Sequence, residues 1–238
     1  MKLLRNIGLL CLLLAPFKGL AHGYWFDIQG SGKRHEPVRV RICYGEIDEY
    51  GVRKRETDPL YLRGFRVTIV DGSGQRKELP LKPGQACLEG WFTPEKNGFY
   101  RILGINEELP VVDRSATGGM NVRPVEYLCT GYRVGKGMGV SGAQQRLDLE
   151  LVSRDRLWVT RPYLDSRPVE PGTRLRIFNP DNWEKSLETD KNGEAVFFPP
   201  RKGMYIVRLD WNDPAPGNYQ GVSYKQVRHR CNYCLFVR

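Results

Sequence analysis

The 238-residue chain has few of the side chains that catalytic sites most often use. It contains three histidines, and no Gly-x-Ser-x-Gly segment occurs. Three histidines leave little room for a catalytic triad, and without that segment the strained turn that exposes a hydrolase nucleophile is missing. Carboxylates are numerous, but sequence adjacency does not identify the acid/base pair that a glycosidase needs. We therefore expect a protein that is not an enzyme.

The chain also lacks a dense basic block and a phosphate-binding loop. Its Lys and Arg residues are scattered singly along apparent strands, as at Arg39, Arg41, Arg63 and Arg66, whereas nucleic-acid-binding proteins cluster them on one face. The glycine-rich stretch at residues 135–139 does not continue into the Gly-Lys-Ser/Thr that opens the helix of a phosphate loop. These absences argue against a nucleic-acid partner and a nucleotide site.

The first 21 residues have the signature of an export signal. Lys2 and Arg5 precede an apolar stretch at residues 7–17, and small residues precede a cleavage point after Ala21. A membrane-spanning helix needs about 20 apolar residues, whereas a charged start, a short apolar stretch and a small-residue end are typical of a secretory signal. We predict a signal peptide at 1–21 and a periplasmic or secreted protein that begins at His22.

Removal of that segment changes the charge and the cysteine count. The chain has 37 Lys and Arg against 27 Asp and Glu, and without Lys2, Arg5 and Lys18 the net charge is +7. This charge favours anionic surfaces weakly. Exported proteins usually pair their thiols, and an odd number leaves one that is free, bound to a metal or bonded to another chain. The five remaining cysteines are Cys43, Cys87, Cys129, Cys231 and Cys234.

Short runs of alternating apolar and polar residues dominate the rest of the chain. Such runs, bounded by turn residues, are typical of half-buried strands, and Gly after Asp or Asn favours tight hairpins. The runs lie at residues 38–43, 65–70, 147–152, 174–178 and 205–209, and the turns at Asp71-Gly72, Asn97-Gly98 and Asn192-Gly193. We therefore predict an all-β protein with the strand spacing of a β-sandwich.

An internal repeat indicates two related modules. Residues 92–102 and 198–207 both contain Phe-x-Pro, a glycine turn and a strand that begins with tyrosine. The copies lie about 105 residues apart, close to the size of one immunoglobulin-like sandwich. We predict two immunoglobulin-like or prealbumin-like β-sandwich modules in tandem, at residues 22–115 and 146–238. A glycine-rich linker or insertion is predicted between them, at 116–145.

Several segments resemble a large exported bacterial family. They are the opening His22-Gly-Tyr-Trp-Phe26, the Gly45-Glu46 step after a strand, residues 147–151, and residues 189–197 followed by Pro200 and Gly203-Met-Tyr205. These segments are similar to the nickel-uptake-associated, or NikM-like, periplasmic proteins, most of which are uncharacterised. The second-module segment is also similar to carboxypeptidase-regulatory-like and other prealbumin-like sandwiches. The resemblance implies a β-sandwich fold and an association with nickel uptake. The glycine-rich middle and the terminal cysteines of this chain do not match the family.

His22 is the candidate metal ligand at the start of the processed chain, where the family's opening histidine falls. An α-amine and an imidazole on one residue form a bidentate chelator, and Ni(II) and Cu(II) accept such nitrogen donors. The third processed residue is Tyr24, so the amino-terminal copper/nickel motif with His in third place is absent, and further ligands have to come from elsewhere. Asp27, Glu46 and Asp48 offer oxygen ligands, but we expect all three to be exposed loop acids.

The second candidate cluster is His229-Arg-Cys231-Asn-Tyr-Cys234. Two thiols at this spacing beside a histidine suit a soft metal such as Zn(II), Cu(I) or Ni(II). The same thiols could instead form disulfides, with each other or with other cysteines, or stay reduced. If the first and last strands meet, His22 and His229 would form a copper-binding brace. We therefore assign His22, His229, Cys231 and Cys234 as candidate metal ligands.

Two other functions stay open. The opening His-Gly-Tyr also resembles lytic polysaccharide monooxygenases, copper enzymes with a second histidine well inside the chain, where the candidate is His35; we expect His35 to be a surface residue. Trp183 and Trp211 lie in turn-like segments and are candidates for contact with a glycan or a protein. Core packing is expected for Trp25, Trp91 and Trp158.

The sequence therefore predicts an exported, non-enzymatic protein that binds a nickel or copper ion and supports its uptake. A membrane transporter or an outer-membrane receptor is the expected partner, and no nucleic acid is involved. The first alternative is a surface or periplasmic β-sandwich that binds a glycan or a protein. The second is a copper monooxygenase.

Overall fold

The computed structural model describes residues 22–48 and 50–238, so the signal peptide predicted at 1–21 lies outside the described residues. Within these ranges the chain is all-β, and its helical content is two short 3-10 turns, Pro59–Leu62 and Ser115–Thr117. None of the helical turns in this part of the chain is long and apolar enough to cross a membrane. The all-β class predicted from the alternating runs is confirmed.

Nineteen strands are found in the described ranges, and each predicted alternating run lies in or overlaps one of them. The first half contains β1 (Gly23–Gln29), β2 (Val38–Ile47), β3 (Arg53–Arg55), β4 (Arg66–Val70), β5 (Arg76–Leu79), β6 (Lys82–Gly84), β7 (Cys87–Phe92), β8 (Gly98–Asn106) and β9 (Val122–Val134). The second half contains β10 (Leu147–Arg154), β11 (Leu157–Leu164), β12 (Arg167–Pro168), β13 (Arg174–Phe178), β14 (Glu184–Glu188), β15 (Ala195–Phe197), β16 (Gly203–Asp213), β17 (Gly217–Tyr219), β18 (Val222–Tyr224) and β19 (Gln226–Val237).

An eight-stranded sheet forms the middle layer of the molecule. Its strand order is β14-β13-β16-β19-β9-β8-β4-β5, with β9 and β19 parallel and the other neighbours antiparallel. A five-stranded sheet has the order β1-β2-β7-β6, with β3 beside β2. A four-stranded sheet has the order β10-β11-β12, with β15 beside β11, and β17 and β18 form a separate hairpin.

Both faces of the middle sheet are apolar. Tyr100, Leu128 and Ile206 pack with the five-stranded sheet in one core, whereas Leu103 and Val207 pack with the four-stranded sheet in the other. Because successive side chains of a strand point to opposite faces, the central strands carry apolar residues at consecutive positions. The fold is therefore a three-layer β structure with a core on each side of the middle sheet.

The two halves of the chain pair their strands in the same order. In the first half, the outer sheet contains β1-β2-β7 and the middle sheet contains β5-β4-β8-β9. In the second half, the corresponding strands are β10-β11-β15 in the outer sheet and β14-β13-β16-β19 in the middle sheet. The repeated segments also make the same local hydrogen bonds. The Tyr100 hydroxyl donates to the carbonyl of Lys96 at 2.7 Å and accepts from its N–H at 3.2 Å, and Tyr205 does the same with Arg201, at 3.0 Å for both. Each tyrosine thus ties its strand to the preceding turn, as a tyrosine corner does.

A tandem of two separate sandwiches is not confirmed, because the eight-stranded sheet runs through both halves. The segment predicted as a linker or insertion, 116–145, contains β9, which lies between β8 and β19 in the middle of that sheet. Val125 and Tyr127 face one core and Leu128 faces the other, so this strand has no period-two pattern. Val122–Val134 is therefore a central strand rather than a linker, and the module bounds at 115 and 146 stay a prediction.

We expect Tyr100→Phe and Tyr205→Phe each to lower the free energy of unfolding by about 1 kcal/mol, because each removes the hydrogen bonds that tie a strand to its turn. Urea unfolding followed by tryptophan fluorescence measures both values. Tyr50→Phe is the matched control, since the Tyr50 side chain is 82% exposed. Equal effects of all three substitutions would contradict the assigned role of the two corners.

Candidate metal centre

His22 lies at the edge of the five-stranded sheet, beside two carboxylates from neighbouring strands. The antiparallel register of β1 and β2 begins with Gly23 opposite Gly45, and just before it His22 Nε2 is 3.4 Å from Glu46 Oε2. On the other side of β2, the N–H of Glu56 donates to the carbonyl of Tyr44 at 2.9 Å, just beyond β3. Adjacent segments therefore bring an imidazole and two carboxylates together.

These three side chains form a compact set of metal-ligand atoms. One ligand atom each from His22, Glu46 and Glu56 lies within 4.8 Å of the other two. The His22 and Glu46 side chains are 38% and 22% exposed. An imidazole and two carboxylates are donors that first-row divalent metals accept. Partial exposure leaves room for water, for a ligand from a partner, or for the α-amine of a chain that starts at His22.

Stacked aromatic rings pack against the imidazole of this ligand group. The His22 ring stacks on Tyr44 with 5.6 Å between ring centroids, and Tyr44 contacts Tyr24 and Tyr61 at 4.7 Å each. Burial, together with the neighbouring Tyr61 and Glu56, raises the pKa of Tyr44 to about 12. The phenol therefore stays neutral at pH 7, and its contribution is to orient the imidazole, as residues behind a metal ligand commonly do.

The expectation of exposed loop acids is wrong for Glu46 and Asp27, which lie on strands, and holds for Asp48 only in its loop position, because that side chain is 11% exposed. Glu46 lies in β2 beside His22, and Asp27 lies in β1, where Arg41 and Arg55 donate hydrogen bonds to its carboxylate. Asp48 does lie after a strand, paired with Lys54. Glu56 was not predicted at all, because its approach to His22 depends on the pairing of β3 with β2, which no sequence pattern indicates.

His229 is buried on the opposite side of the middle sheet. Its Nδ1 lies 3.1 Å from the Tyr127 hydroxyl, and its ring packs on Trp211 with 5.0 Å between centroids. Burial and the nearby Arg146 cation lower the pKa of His229 to about 4, so the imidazole is neutral at pH 7. The predicted brace is not formed, since His22 belongs to the five-stranded layer and His229 faces the core under the four-stranded sheet.

The thiols of Cys231 and Cys234 point to opposite faces of β19. Cys231 lies in the core under the four-stranded sheet, with its Sγ 3.6 Å from Cys129 Sγ. Cys234 lies in the other core, where its sulfur accepts a hydrogen bond from the N–H of Phe26 at 3.2 Å. Residues three apart on a strand point to opposite sides. Joint chelation by Cys231, Cys234 and His229 is therefore wrong, and a Cys231–Cys234 disulfide is excluded.

A second group of potential ligands, Cys129, Asp148 and Cys231, is buried. Asp148 already accepts hydrogen bonds from two backbone N–H groups and from the Arg101 guanidinium at 2.8 Å. Burial raises the pKa of the Cys231 thiol, and the Cys129 thiol raises it further, so the thiolates that a metal needs are disfavoured. Arg101 supplies the positive charge beside Asp148, and we assign this cluster to the core.

Trp183 is the aromatic residue that best fits the predicted exposed platform. Its side chain is 78% exposed on the turn between β13 and β14, where its N–H donates to Asn179 Oδ1 at 2.8 Å. On the same turn, the Asn182 side chain donates to the carbonyl of Gly51, next to the exposed Tyr50. Two exposed rings therefore lie on two loops that are hydrogen-bonded to each other.

The other tryptophans differ in part from expectation. Trp25 is buried and Trp158 packs against a core, as predicted. Trp91 is 50% exposed, so its predicted core position is wrong; it lies on the outer face of β7. Trp211 is a partly buried residue that packs on His229 and Arg146, and it offers no free ring to a ligand.

A cavity of about 990 Å³ lies between the middle sheet, β10 and the glycine-rich residues 137–141. Its walls include Phe99, Glu150 and Trp158. The Glu150 carboxylate already accepts hydrogen bonds from the hydroxyls of Ser141 and Tyr163. The ligand group around His22 does not line this cavity, so the two are separate features.

No family model matches the chain, and a search of curated proteins finds no match. Solved structures with some likeness include that of dimeric latent PorU from Porphyromonas gingivalis, at 10% identity and a TM-score of 0.23. The likeness covers 91% of this chain and 20% of that chain, so this chain spans about a fifth of the length of that structure. A likeness at this TM-score carries no argument about fold or function.

We expect the stability of the protein to fall as the pH is lowered from 6.5, the ordinary pKa of histidine, to about 4, its value for native His229. Between these pH values the histidine is protonated in the unfolded chain but stays neutral in the folded one. The resulting loss in the free energy of unfolding is at most about 3 kcal/mol. Urea unfolding between pH 7 and pH 4 should show a smaller loss for His229→Gln than for His35→Gln, whose site is exposed. Identical losses in both variants would contradict the assignment.

Peptide mapping of the non-reduced protein should yield no Cys231–Cys234 bond, because the two thiols lie on opposite faces of one strand. If Cys231 is oxidised, the expected partner is Cys129, whose sulfur is 3.6 Å away. The reduced protein, digested in parallel, is the control. A linked peptide that contains Cys231 and Cys234 would show that β19 does not have the described conformation.

Proposed function

We propose that this chain is an exported protein that binds nickel or copper through His22, Glu46 and Glu56 and supports uptake of the metal. The observation that carries the proposal is the convergence of an imidazole and two carboxylates within 4.8 Å. The resemblance of the opening residues to the nickel-uptake-associated family points to the same class of metal. The proposal keeps the N-terminal ligand predicted from sequence and replaces the C-terminal ones with two glutamates.

Export adds a fourth donor to this set. If the signal is removed after Ala21, the α-amine of His22 becomes free beside its own imidazole. Two nitrogens and two carboxylate oxygens match the tetragonal N,O coordination that Cu(II) and Ni(II) prefer. Metal binding is therefore coupled to correct processing, and a chain with an additional N-terminal residue lacks one of the four donors.

A carrier role suits the position of the site better than catalysis does. His22 and Glu46 are partly exposed at a sheet edge, so a ligand from a membrane transporter or an outer-membrane receptor can reach the metal. The resemblance to copper monooxygenases implies a second histidine near the first. Within the described residues, neither His35 nor His229 belongs to the ligand group around His22.

Glycan binding is the second candidate function, and the exposed pair of Trp183 and Tyr50 favours it. The two side chains are 78% and 82% exposed, and hydrogen bonds within and between their loops hold the rings outward. Exposed aromatic faces with polar neighbours are suited to stack on sugar rings. This surface and the metal centre are compatible in one molecule.

The test is calorimetric titration with Ni(II) and Cu(II) of the protein that starts at His22, with bound metal counted by elemental analysis. We expect one metal per chain and loss of tight binding in His22→Ala. Glu46→Gln and Glu56→Gln should each weaken binding by about tenfold or more, or about 1.4 kcal/mol, because each replaces an anionic donor with a neutral amide. One additional N-terminal residue should weaken it as well.

His35→Ala is the matched control, because it removes an exposed histidine outside the ligand group. Its affinity should equal that of the unchanged protein. If His22→Ala binds as tightly as His35→Ala, the metal function at this site is wrong. Glycan binding then becomes the leading function, tested by comparing Trp183→Ala with Trp91→Ala on a glycan array.

A further inference from the structure

Four arginines form one polar surface on the middle sheet, which we call the arginine shelf: Arg176, Arg208, Arg228 and Arg230. The register pairs Arg176 with Arg208 and Arg208 with Asn232, and Arg228 and Arg230 precede Asn232 by even steps on β19. Because alternate residues share a face, all four side chains lie on the same side of the sheet.

Three of these arginines form ion pairs with carboxylates of the shelf. Asp210 accepts from Arg176 at 2.8 Å and from the Nε of Arg230 at 2.6 Å. Glu126 accepts from Arg228 at 2.9 Å, and Arg176 also lies 3.6 Å from Glu184. Each of these three carboxylates therefore has a cationic partner, and Arg208 is left as a fourth cation.

Arg208 is 5% exposed, and no carboxylate of the described residues lies within ion-pair distance of it, although Asp210 and Glu126 raise its pKa from farther away. Its Nε donates to Asn232 Oδ1 at 2.8 Å, and its guanidinium stacks on Phe178 at 4.9 Å from the ring centroid. Among the described residues, no acceptor takes a hydrogen bond from either terminal nitrogen of this guanidinium. Burial and the neighbouring Arg230 cation lower the pKa of Arg208 to about 9, as expected for a cation without full compensation.

The terminal nitrogens of Arg208 lie beside the backbone of β1 and keep some contact with solvent. One of them lies against Gly23, where a Cβ would come within 2.7 Å of it. They are not among the buried polar atoms that lack both a partner and solvent contact. Arg230 lies on the neighbouring strand, two residues before Asn232, which pairs with Arg208. The terminal nitrogens of Arg230 likewise donate to no protein acceptor within residues 22–48 and 50–238. Two guanidinium groups on the neighbouring strands β16 and β19 therefore carry terminal donors that no acceptor of the described residues uses.

We propose that the arginine shelf binds a small oxoanion, a carboxylate or a phosphate group, between Arg208 and Arg230. The planar fork of a guanidinium matches the two oxygens of such a group and forms charge-assisted hydrogen bonds with it. A buried cation without a counterion gains more from an anion than an exposed one does. The absence of a side chain at Gly23 allows the Arg208 fork to lie against the backbone of β1, since a Cβ there would come within 2.7 Å of one terminal nitrogen.

This site is distinct from the metal centre. The His22 ring stacks on Tyr44 beside Glu46, whereas the next residue, Gly23, contacts Arg208. The two sites thus lie on opposite sides of the same strand, and the oxoanion site does not depend on a bound metal.

The test is a titration of the metal-free protein with sodium phosphate, sodium acetate and sodium glucuronate. Sodium chloride keeps the ionic strength constant, because screening alone would mimic weak binding. Chemical shifts of the Gly23 amide and the Arg208 Nε–H report occupancy. Saturable binding of at least one anion is expected, weakened by about tenfold or more in Arg208→Gln and in Arg230→Gln, since each loses a charge-assisted fork. The preferred anion identifies the class of ligand.

Arg174→Gln is the matched control, because Arg174 lies on β13 outside the shelf and donates to the side chain of Ser186; the affinity of this variant should be unchanged. Arg208→Lys keeps the charge without the fork and should bind more weakly than the unchanged protein. Arg230→Gln preserves the test if Arg208→Gln unfolds. Absence of saturable binding, or equal affinity in Arg230→Gln and Arg174→Gln, would overturn the proposal. His22→Ala should bind the anion normally, so failure here is separable from failure of metal binding.

Discussion

The parallel pairing of β9 with β19 is the contact on which the rest of the structure depends. It joins the two halves of the chain into one eight-stranded sheet, with a core on each face. Parallel strands of this kind are covered on both sides, so the apolar residues of β19 are divided between the two cores. Thr130 reinforces the pairing by donating from its hydroxyl to the carbonyl of Cys234 at 2.6 Å. This assignment separates Cys231 from Cys234 and His229 from the metal centre.

The same strand also positions β1. Asn232 donates from its side chain to the carbonyl of Tyr24 at 2.9 Å, and Cys234 accepts from the N–H of Phe26. An unpaired strand edge invites pairing with other chains, and these two side chains cover it. With β1 held in this way, His22 emerges beside Glu46 and Gly23 lies over Arg208. The C-terminal strand therefore contributes to both sites as their scaffold.

The sequence predicts the fold class well because alternation is a local signal. The runs at β2 and β13 alternate between more and less buried residues, and the tyrosine corners at Tyr100 and Tyr205 repeat a local pattern. β9 is not predicted as a strand, because it is buried on both faces and its sequence therefore does not alternate between apolar and polar residues. The glycines on either side of it, at 118–119 and 135–139, reinforce the impression of a linker.

The site is predictable only in part, for a related reason. Export chemistry singles out His22, but its partners come from strands whose pairing is not encoded in local spacing. Glu46 is recognisable as a candidate once β1 and β2 are paired, whereas Glu56 requires β3 as well. The clustered spacing of Cys231 and Cys234 suggests a chelate on a loop or a helix, and in an extended strand it separates the two thiols. Arg208 gives no sequence signal, because its lack of a counterion is a property of the packed sheet.

Anomalous diffraction from a nickel-soaked crystal of the protein that starts at His22 tests the central claim most directly. The account predicts one strong anomalous peak within bonding distance of the His22 imidazole and of the Glu46 and Glu56 carboxylates. A peak at Cys129, Asp148 and Cys231, or no peak near His22, would contradict it.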